Sequence, residues 1–157
     1  MTDNLNDLKH SDLQFNGWRQ AEKTITFAGA TPNAIGDHDG TGDPFDIFTV
    51  TGTVRVKVYA ICTTLLAGAA GTLEIGVAGA TASLIAMSTG TDIDASEIWH
   101  DATPDSGVEA DTVAPEMIVA NSLNIRGEVK TANLDSGVIK FYCLWKPISR
   151  DGNVVPA

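Results

Sequence analysis

The 157-residue chain contains 20 acidic and 10 basic residues, and 43% of its residues are hydrophobic. This length and composition predict one folded domain and exclude an intrinsically disordered chain. The formal net charge of −10 disfavours binding to DNA or RNA, because an acidic surface repels phosphates. The longest stretch of small apolar residues, "LLAGAAG" at 65–71, is too short to cross a bilayer, so we expect no membrane partner.

Residues 1–22 are predicted to form an N-terminal arm. Their first segment, "MTDNLNDLKHSD", is acidic and polar and lacks the basic and apolar regions of a secretion signal, which predicts synthesis in a cytoplasm. The apolar residues of the arm are too few to form a core of their own. Leu5, Leu8, Phe15 and Trp18 are therefore candidate contacts with the domain or with a neighbouring chain. Trp18 is the strongest of these, because tryptophan is enriched at protein interfaces.

Residues 23–146 show the period-two alternation of β-strands and almost no helical periodicity. In "TVRVKVY", valines alternate with Arg55 and Lys57, and in "GVIKFYCLW" every second residue from Ile139 to Trp145 is apolar. Further candidate strands are "KTITFA", "FDIFTV", "TLEIGVA", "ASLIAM", "EIWHD", "EMIVA" and "SLNIRGEV". About nine short strands separated by turn residues predict an all-β fold, namely an antiparallel β-sandwich, a jelly roll or a barrel.

Residues 147–157, "PISRDGNVVPA", follow the last predicted strand and are interpreted as a short C-terminal extension. The sandwich domain is thus predicted over 23–146, between the arm and this extension. The strand order is left open between a jelly roll and an immunoglobulin-like sandwich.

The loop "DHDGTGDP" at 37–44 resembles a calcium-binding loop, with Asp37, Asp39 and Asp43 as candidate ligands. An EF-hand loop would have its glycine at Gly42, but its twelfth residue should be a bidentate glutamate and is Phe48. Asp-Gly and Gly-Asp-Pro are also typical turn sequences. The loop therefore favours a tight turn, and the three aspartates remain weak metal candidates.

Other chemistry-bearing residues form no recognisable reactive motif. The sequence contains no G-x-S-x-G motif, phosphate-binding loop or dinucleotide fingerprint, so we expect neither an enzyme nor a cofactor. His10, His38 and His100 are expected at the surface or in turns. Cys62 and Cys143 lie within predicted strands, which favours reduced, buried thiols over a disulfide.

The stretch "EIWHDATPD" places Trp99 next to polar residues. Trp99 is therefore a further interface candidate, and it could also stack on a sugar. By contrast, Trp145 continues the apolar alternation of the last strand and is predicted to lie in the core.

Several segments resemble small virion-associated proteins of tailed bacteriophages. The similarity lies in "AIGDHDGTGDPFDIFTVTGTVRVKVYAICTTLL", "ASLIAM", "TDIDASEIWHDATP" and "FYCLWKPISRDGNVV", within roughly residues 25–155. It implies a capsid decoration (cement) protein with a β-sandwich or β-tulip-like fold. Such proteins are commonly trimers at local three-fold positions, so the implied partners are the major capsid protein and two further copies of this chain.

This resemblance implies a protein that is made in the host cytoplasm and bound to the outer surface of the head. An acidic domain fits the outside of a shell better than the inside, where packaged DNA would repel it. The alternative is a tail or fibre component with carbohydrate- or receptor-binding loops. An enzyme acting on cell-wall or glycan substrates is a third class, and the sequence disfavours it.

Overall fold

The computed structural model describes residues 17–68, 70–110 and 113–157, and it contains two antiparallel sheets. In chain order the strands are β1 (Arg19–Phe27), β2 (Phe45–Thr51), β3 (Val54–Ala67), β4 (Thr72–Val77), β5 (Ala80–Thr89), β6 (Glu97–Trp99), β7 (Asp105–Ser106), β8 (Met117–Val119), β9 (Ile125–Lys130), β10 (Ser136–Pro147) and β11 (Asn153–Pro156). The prediction of an all-β sandwich is confirmed. The narrower prediction of a jelly roll stays a prediction.

Sheet A has the strand order β1-β10-β3-β6-β7, with β8 also paired to β3, and sheet B has the order β11-β2-β9-β4-β5. All of the paired strands run antiparallel. The first strand of sheet A therefore pairs with a strand near the end of the chain. Among the described residues, no helix is long and apolar enough to cross a bilayer.

The core lies between the sheets because alternate residues of the long central strands are apolar. In β3 the inward-facing residues run from Val54 to Cys62 at every second position, and in β10 they run from Ile139 to Trp145. Trp145 is in the core, as predicted. Cys62 and Cys143 are buried free thiols, also as predicted.

The N-terminal boundary differs from the prediction, because β1 begins at Arg19 and not at Lys23. Arg19 pairs with Trp145 and Glu22 with Tyr142, so residues 19–22 belong to sheet A and not to the arm. Of these four residues only Ala21 is buried. An edge strand with three exposed polar residues in four gives little alternation, and its backbone pairing with β10 decides its conformation.

The C-terminal boundary differs as well. Residues 153–156, assigned to an extension, form β11 and pair with β2 in sheet B. Only Val154 of β11 is buried, and four residues with one buried position are too short to show a period. The last residue continues this contact, since the Ala157 amide donates to the Ile47 carbonyl over 3.0 Å.

The two sides of the sandwich are closed differently. On one side β1 lies beside β11, and the Lys23 ammonium donates to the Ala157 carbonyl. On the other side β5 of sheet B lies against β6 of sheet A, where the Trp99 indole donates to Ser88 Oγ over 2.8 Å. Ser88 in turn donates to the Asp101 carbonyl over 3.2 Å. Residues 100–110, which follow β6, begin on this second side.

Candidate functional site

The 37–44 loop is a network of turns. Asp37 Oδ2 accepts a hydrogen bond from the Asn33 amide at 2.7 Å, and Asn33 Oδ1 accepts one from the Thr41 amide at 3.1 Å. A Cβ on Gly42 would lie 2.5 Å from the Ala34 carbonyl, so only glycine fits at this close approach. The side chains that stabilise the loop are therefore engaged with its own backbone, as the turn interpretation expects.

Asp43 is directed away from the other aspartates of the loop. Its Oδ1 accepts the Val129 amide of β9 over 2.8 Å. Burial raises the pKa of Asp43 to about 6, although the Val129 hydrogen bond acts in the opposite direction. The three ligand atoms that come within 4.8 Å of one another here belong to Asp37, His38 and Asp39. The structure thus does not assemble the predicted set of Asp37, Asp39 and Asp43.

His100 was expected at the surface or in a turn; it lies in a bend directly after β6, and it is buried and not at the surface. Its side chain is only 3% exposed, and neither ring nitrogen makes a hydrogen bond. Nε2 lies 3.3 Å from Glu109 Oε2, and Nδ1 lies 3.9 Å from Asp101 Oδ2. The imidazole lines a cavity together with Glu109, Ala110 and Ala114, and nothing in the local sequence around His100 indicates this arrangement.

Two carboxylates lie close together beside this imidazole. A hydrogen bond with Glu109 is the main cause that raises the pKa of Asp105. The pKa of Glu109 is lowered, first by the Ala110 amide, which donates to Oε1 over 2.8 Å, and then by the adjacent His100 ring and Asp105 carboxyl group. One ligand atom from each of His100, Asp105 and Glu109 lies within 4.8 Å of the other two. Sequence reasoning missed this group, because acidic residues are frequent throughout residues 92–116.

A cavity of about 230 Å³ adjoins the group on the outer face of sheet A. Its lining includes Lys57 and Tyr59 of β3 and Leu144 of β10, whose side chains alternate with the core residues of those strands. His100 and Glu109 line it as well. The volume is below that of typical drug-sized ligand pockets, and suits a small ion with water or a small polar molecule.

Trp99 lies in the core, and the prediction that it contacts a partner or a sugar is wrong. Its side chain is fully buried and packs edge-to-face against Phe141, with ring centroids 6.3 Å apart. Since Trp99 pairs with Ala60 of β3, both residues point inward. The alternation that buries Trp99 places His100 on the opposite face.

Trp18 is half-buried against its own domain. The Lys146 ammonium lies 4.8 Å from the centre of its ring, which is a cation–π distance. Its role at an interface stays a prediction. The other arm candidates, Leu5, Leu8 and Phe15, lie outside the described residues.

The edge strand β5 is unusual in this acidic protein because it is ten residues long and contains no charged residue. The chain has none between Glu74 and Asp92, and β5 occupies ten residues of that interval. Met87 of β5 is 50% exposed, and Ile118 of β8, at the edge of sheet A, is 65% exposed. Val108 and Val113, on the segment between β7 and β8, are also exposed.

Comparison of the chain with family models, with curated proteins and with solved structures finds no match.

Proposed function

We propose that this protein is a structural component of a bacteriophage virion. In this proposal it is a capsid decoration protein that binds the outer surface of the head, contacts the major capsid protein and stabilises the shell by bridging capsomers. The observation that supports this most directly is the uncharged, exposed edge strand β5. The resemblance to small virion proteins and the acidic composition support it as well.

β5 is the last strand of sheet B, and within the described part of the chain it pairs with β4 alone. Proteins that remain monomeric usually protect such edges with charged side chains, proline or short strands, because free backbone groups pair readily with another chain. β5 is ten residues long and has no charge or proline. Its pairing with β4 contains two register shifts, which add twist, but it otherwise resembles a strand that accepts a partner.

The charge distribution favours the outside of a shell. The net charge of −10 opposes contact with packaged DNA, while the uncharged interval from Glu74 to Asp92 allows contact with another protein without burying unpaired charge. Pairing of the β5 edge with another protein would cover its free backbone groups, while the opposite edge strand of sheet B, β11, would stay outside that contact. Binding to the assembled shell alone would stabilise that shell by mass action.

One substitution, Met87→Lys, tests both the binding of the protein to phage heads and the pairing of the β5 edge with another chain. A lysine at this exposed position should weaken self-association, measured by light scattering, and decoration of heads, measured by labelling, by at least about tenfold. The matched control is Val155→Lys, because Val155 is also exposed on an edge strand of sheet B, at the opposite end. Equal effects of both substitutions, or wild-type protein found only in tails or in no virion fraction, would contradict the proposal.

The alternative of a tail or fibre component with carbohydrate-binding loops has lost its main structural support. It requires an exposed aromatic ring near polar side chains, and Trp99 is fully buried. Binding of the wild-type protein to a glycan array would nevertheless favour it over decoration of heads.

A further inference from the structure

We propose that His100, Asp105 and Glu109 form a binding site for a divalent transition-metal cation, with Zn²⁺ as the best match. This site is separate from the β5 edge and does not depend on the proposed structural function. A metal there would join β6, β7 and the segment that follows β7, and would fix this segment over the outer face of sheet A.

The first argument is the unsatisfied imidazole. The His100 side chain is 97% buried (3% exposed), and neither ring nitrogen has a hydrogen-bond partner. Buried polar groups nearly always have partners, and each exception requires an explanation such as a bound ion. Nε2 lies 3.3 Å from Glu109 Oε2 without making a hydrogen bond to it, so this nitrogen faces the carboxylates of the group.

The second argument is the spacing of the ligand atoms. Zinc binds nitrogen and carboxylate oxygen at about 2.0–2.2 Å, so neighbouring ligands of a tetrahedral site lie about 3.3–3.5 Å apart. The distance between His100 Nε2 and Glu109 Oε2 is 3.3 Å, and the Asp105 ligand atom lies within 4.8 Å of both. Small side-chain rotations at the exposed Asp105 can shorten the remaining distances without moving the buried imidazole.

The third argument is electrostatic. Two carboxylates within hydrogen-bonding distance repel each other when both are ionised, and a divalent cation between them removes that repulsion. Two carboxylates and one neutral imidazole would balance the charge of the ion. An open coordination position would face the adjoining cavity, because His100 and Glu109 both line it.

The imidazole selects the class of metal. Ca²⁺ prefers six to eight oxygen ligands and Mg²⁺ prefers a shell of oxygen and water, whereas a nitrogen ligand with carboxylates suits Zn²⁺ and its transition-metal neighbours. Asp101, whose Oδ2 lies 3.9 Å from His100 Nδ1, is placed to orient the ring from behind.

The test is Zn²⁺ titration of the untagged 157-residue chain by calorimetry, with Co²⁺ absorption as a probe of tetrahedral coordination. We expect one equivalent to bind and to raise the melting temperature. Asp105→Asn and Glu109→Gln should each weaken Zn²⁺ binding by at least about tenfold, since each removes an anionic ligand. Both substitutions preserve side-chain shape, and circular dichroism before metal addition should match the wild-type protein.

The control variants are Asp39→Asn and His38→Ala, which alter the other group of three potential ligands, Asp37, His38 and Asp39. Both should bind Zn²⁺ like the wild-type protein. The proposal is overturned if no Zn²⁺ binds, if the Asp105 and Glu109 variants retain full affinity, or if a control variant loses it. A larger rise in melting temperature with Ca²⁺ than with Zn²⁺ would also overturn the assignment.

Discussion

Two segments of this protein, residues 37–44 and residues 100–109, each bring a histidine close to two carboxylates, and they differ in what those groups already bind. In the first, Asp37 and Asp43 accept backbone amides, so these carboxylates already have hydrogen-bond partners within the protein. In the second, a buried imidazole has no hydrogen bond although no familiar metal motif surrounds it. The comparison teaches that the need for a ligand comes from unsatisfied buried groups and not from the presence of ligand-type residues.

The segments are also held in place differently. The first is tied to residues 133–134 by hydrogen bonds: Asn133 Oδ1 accepts the His38 amide, and Asn133 Nδ2 donates to the Gly29 carbonyl. The second follows directly after Trp99, whose ring is in the core. The first segment is thus held by polar contacts, whereas the second is held by the buried Trp99 ring, by the hydrogen bond from Ser88 to the Asp101 carbonyl and by the pairing of β7 with β6.

The largest effect is expected from Trp99→Ala, which tests the apolar attachment. Truncation of a fully buried tryptophan should lower the free energy of unfolding by about 3–5 kcal/mol through lost burial and the cavity left behind. It should weaken Zn²⁺ binding too, because His100 would lose its support. Chemical denaturation measures the first effect. Trp99→Phe is the control and should lower the free energy of unfolding by less, since most of the packing remains. Equal decreases for the two variants would contradict this prediction.

An intermediate effect is expected from Asn133→Ala, which tests the polar attachment. Loss of the bonds to the His38 amide and the Gly29 carbonyl should lower the free energy of unfolding by about 1–3 kcal/mol. Zn²⁺ affinity should not change, because the second segment does not contact this residue. Asn133→Asp retains the hydrogen-bond acceptor but not the donor, so its free energy of unfolding should lie between those of the wild-type protein and Asn133→Ala. A change in Zn²⁺ affinity would show that the two segments are coupled.

The smallest effect is expected from Asp43→Asn, and it depends on pH. Because burial raises the pKa of Asp43 from 3.8 to about 6, the protonated carboxyl contributes stability that is complete below pH 3.8 and lost as the pH rises through 6. Asparagine can still accept the Val129 amide but does not ionise. The variant should therefore match the wild-type protein at low pH and exceed its stability above pH 6, by less than about 1 kcal/mol after solvent screening.

Melting temperature measured against pH for both proteins checks this prediction. Glu128 adds to the raised pKa of Asp43, whereas Lys130 and His38 oppose it, and all three are present in both proteins. The difference between the two curves therefore isolates Asp43. Parallel curves would contradict the prediction.

The sequence predicted the fold where side chains alternate between an apolar core and solvent. The two central strands, β3 and β10, meet this condition from Val54 to Cys62 and from Ile139 to Trp145. The prediction from sequence was wrong at the edge strands of the sheets, where backbone pairing with one neighbouring strand determines the structure. Backbone pairing with β10 extends β1 to Arg19, and backbone pairing with β2 forms β11, which was not predicted.

The candidate site was predictable only in part. The turn at 37–44 follows from local chemistry, since aspartate and glycine act within a few residues of their own positions. His100 lines a cavity together with Glu109, Ala110 and Ala114, and no pattern in the sequence next to His100 predicts contact with residues nine or more positions away. The orientation of Trp99 was not predicted, because a strand of only three residues is too short to show an alternation of apolar and polar positions.

Pairing of Arg19 with Trp145 has a consequence for the order in which the chain can fold. Sheet A cannot acquire β1 until β10 has left the ribosome, whereas the β4–β5 hairpin joins neighbours in sequence and can close early. Long-range pairing slows folding, so we expect the uncharged β5 edge to be exposed for some time before the domain is complete. Expression at low temperature or with chaperones should therefore raise the soluble yield more than a change of buffer after purification.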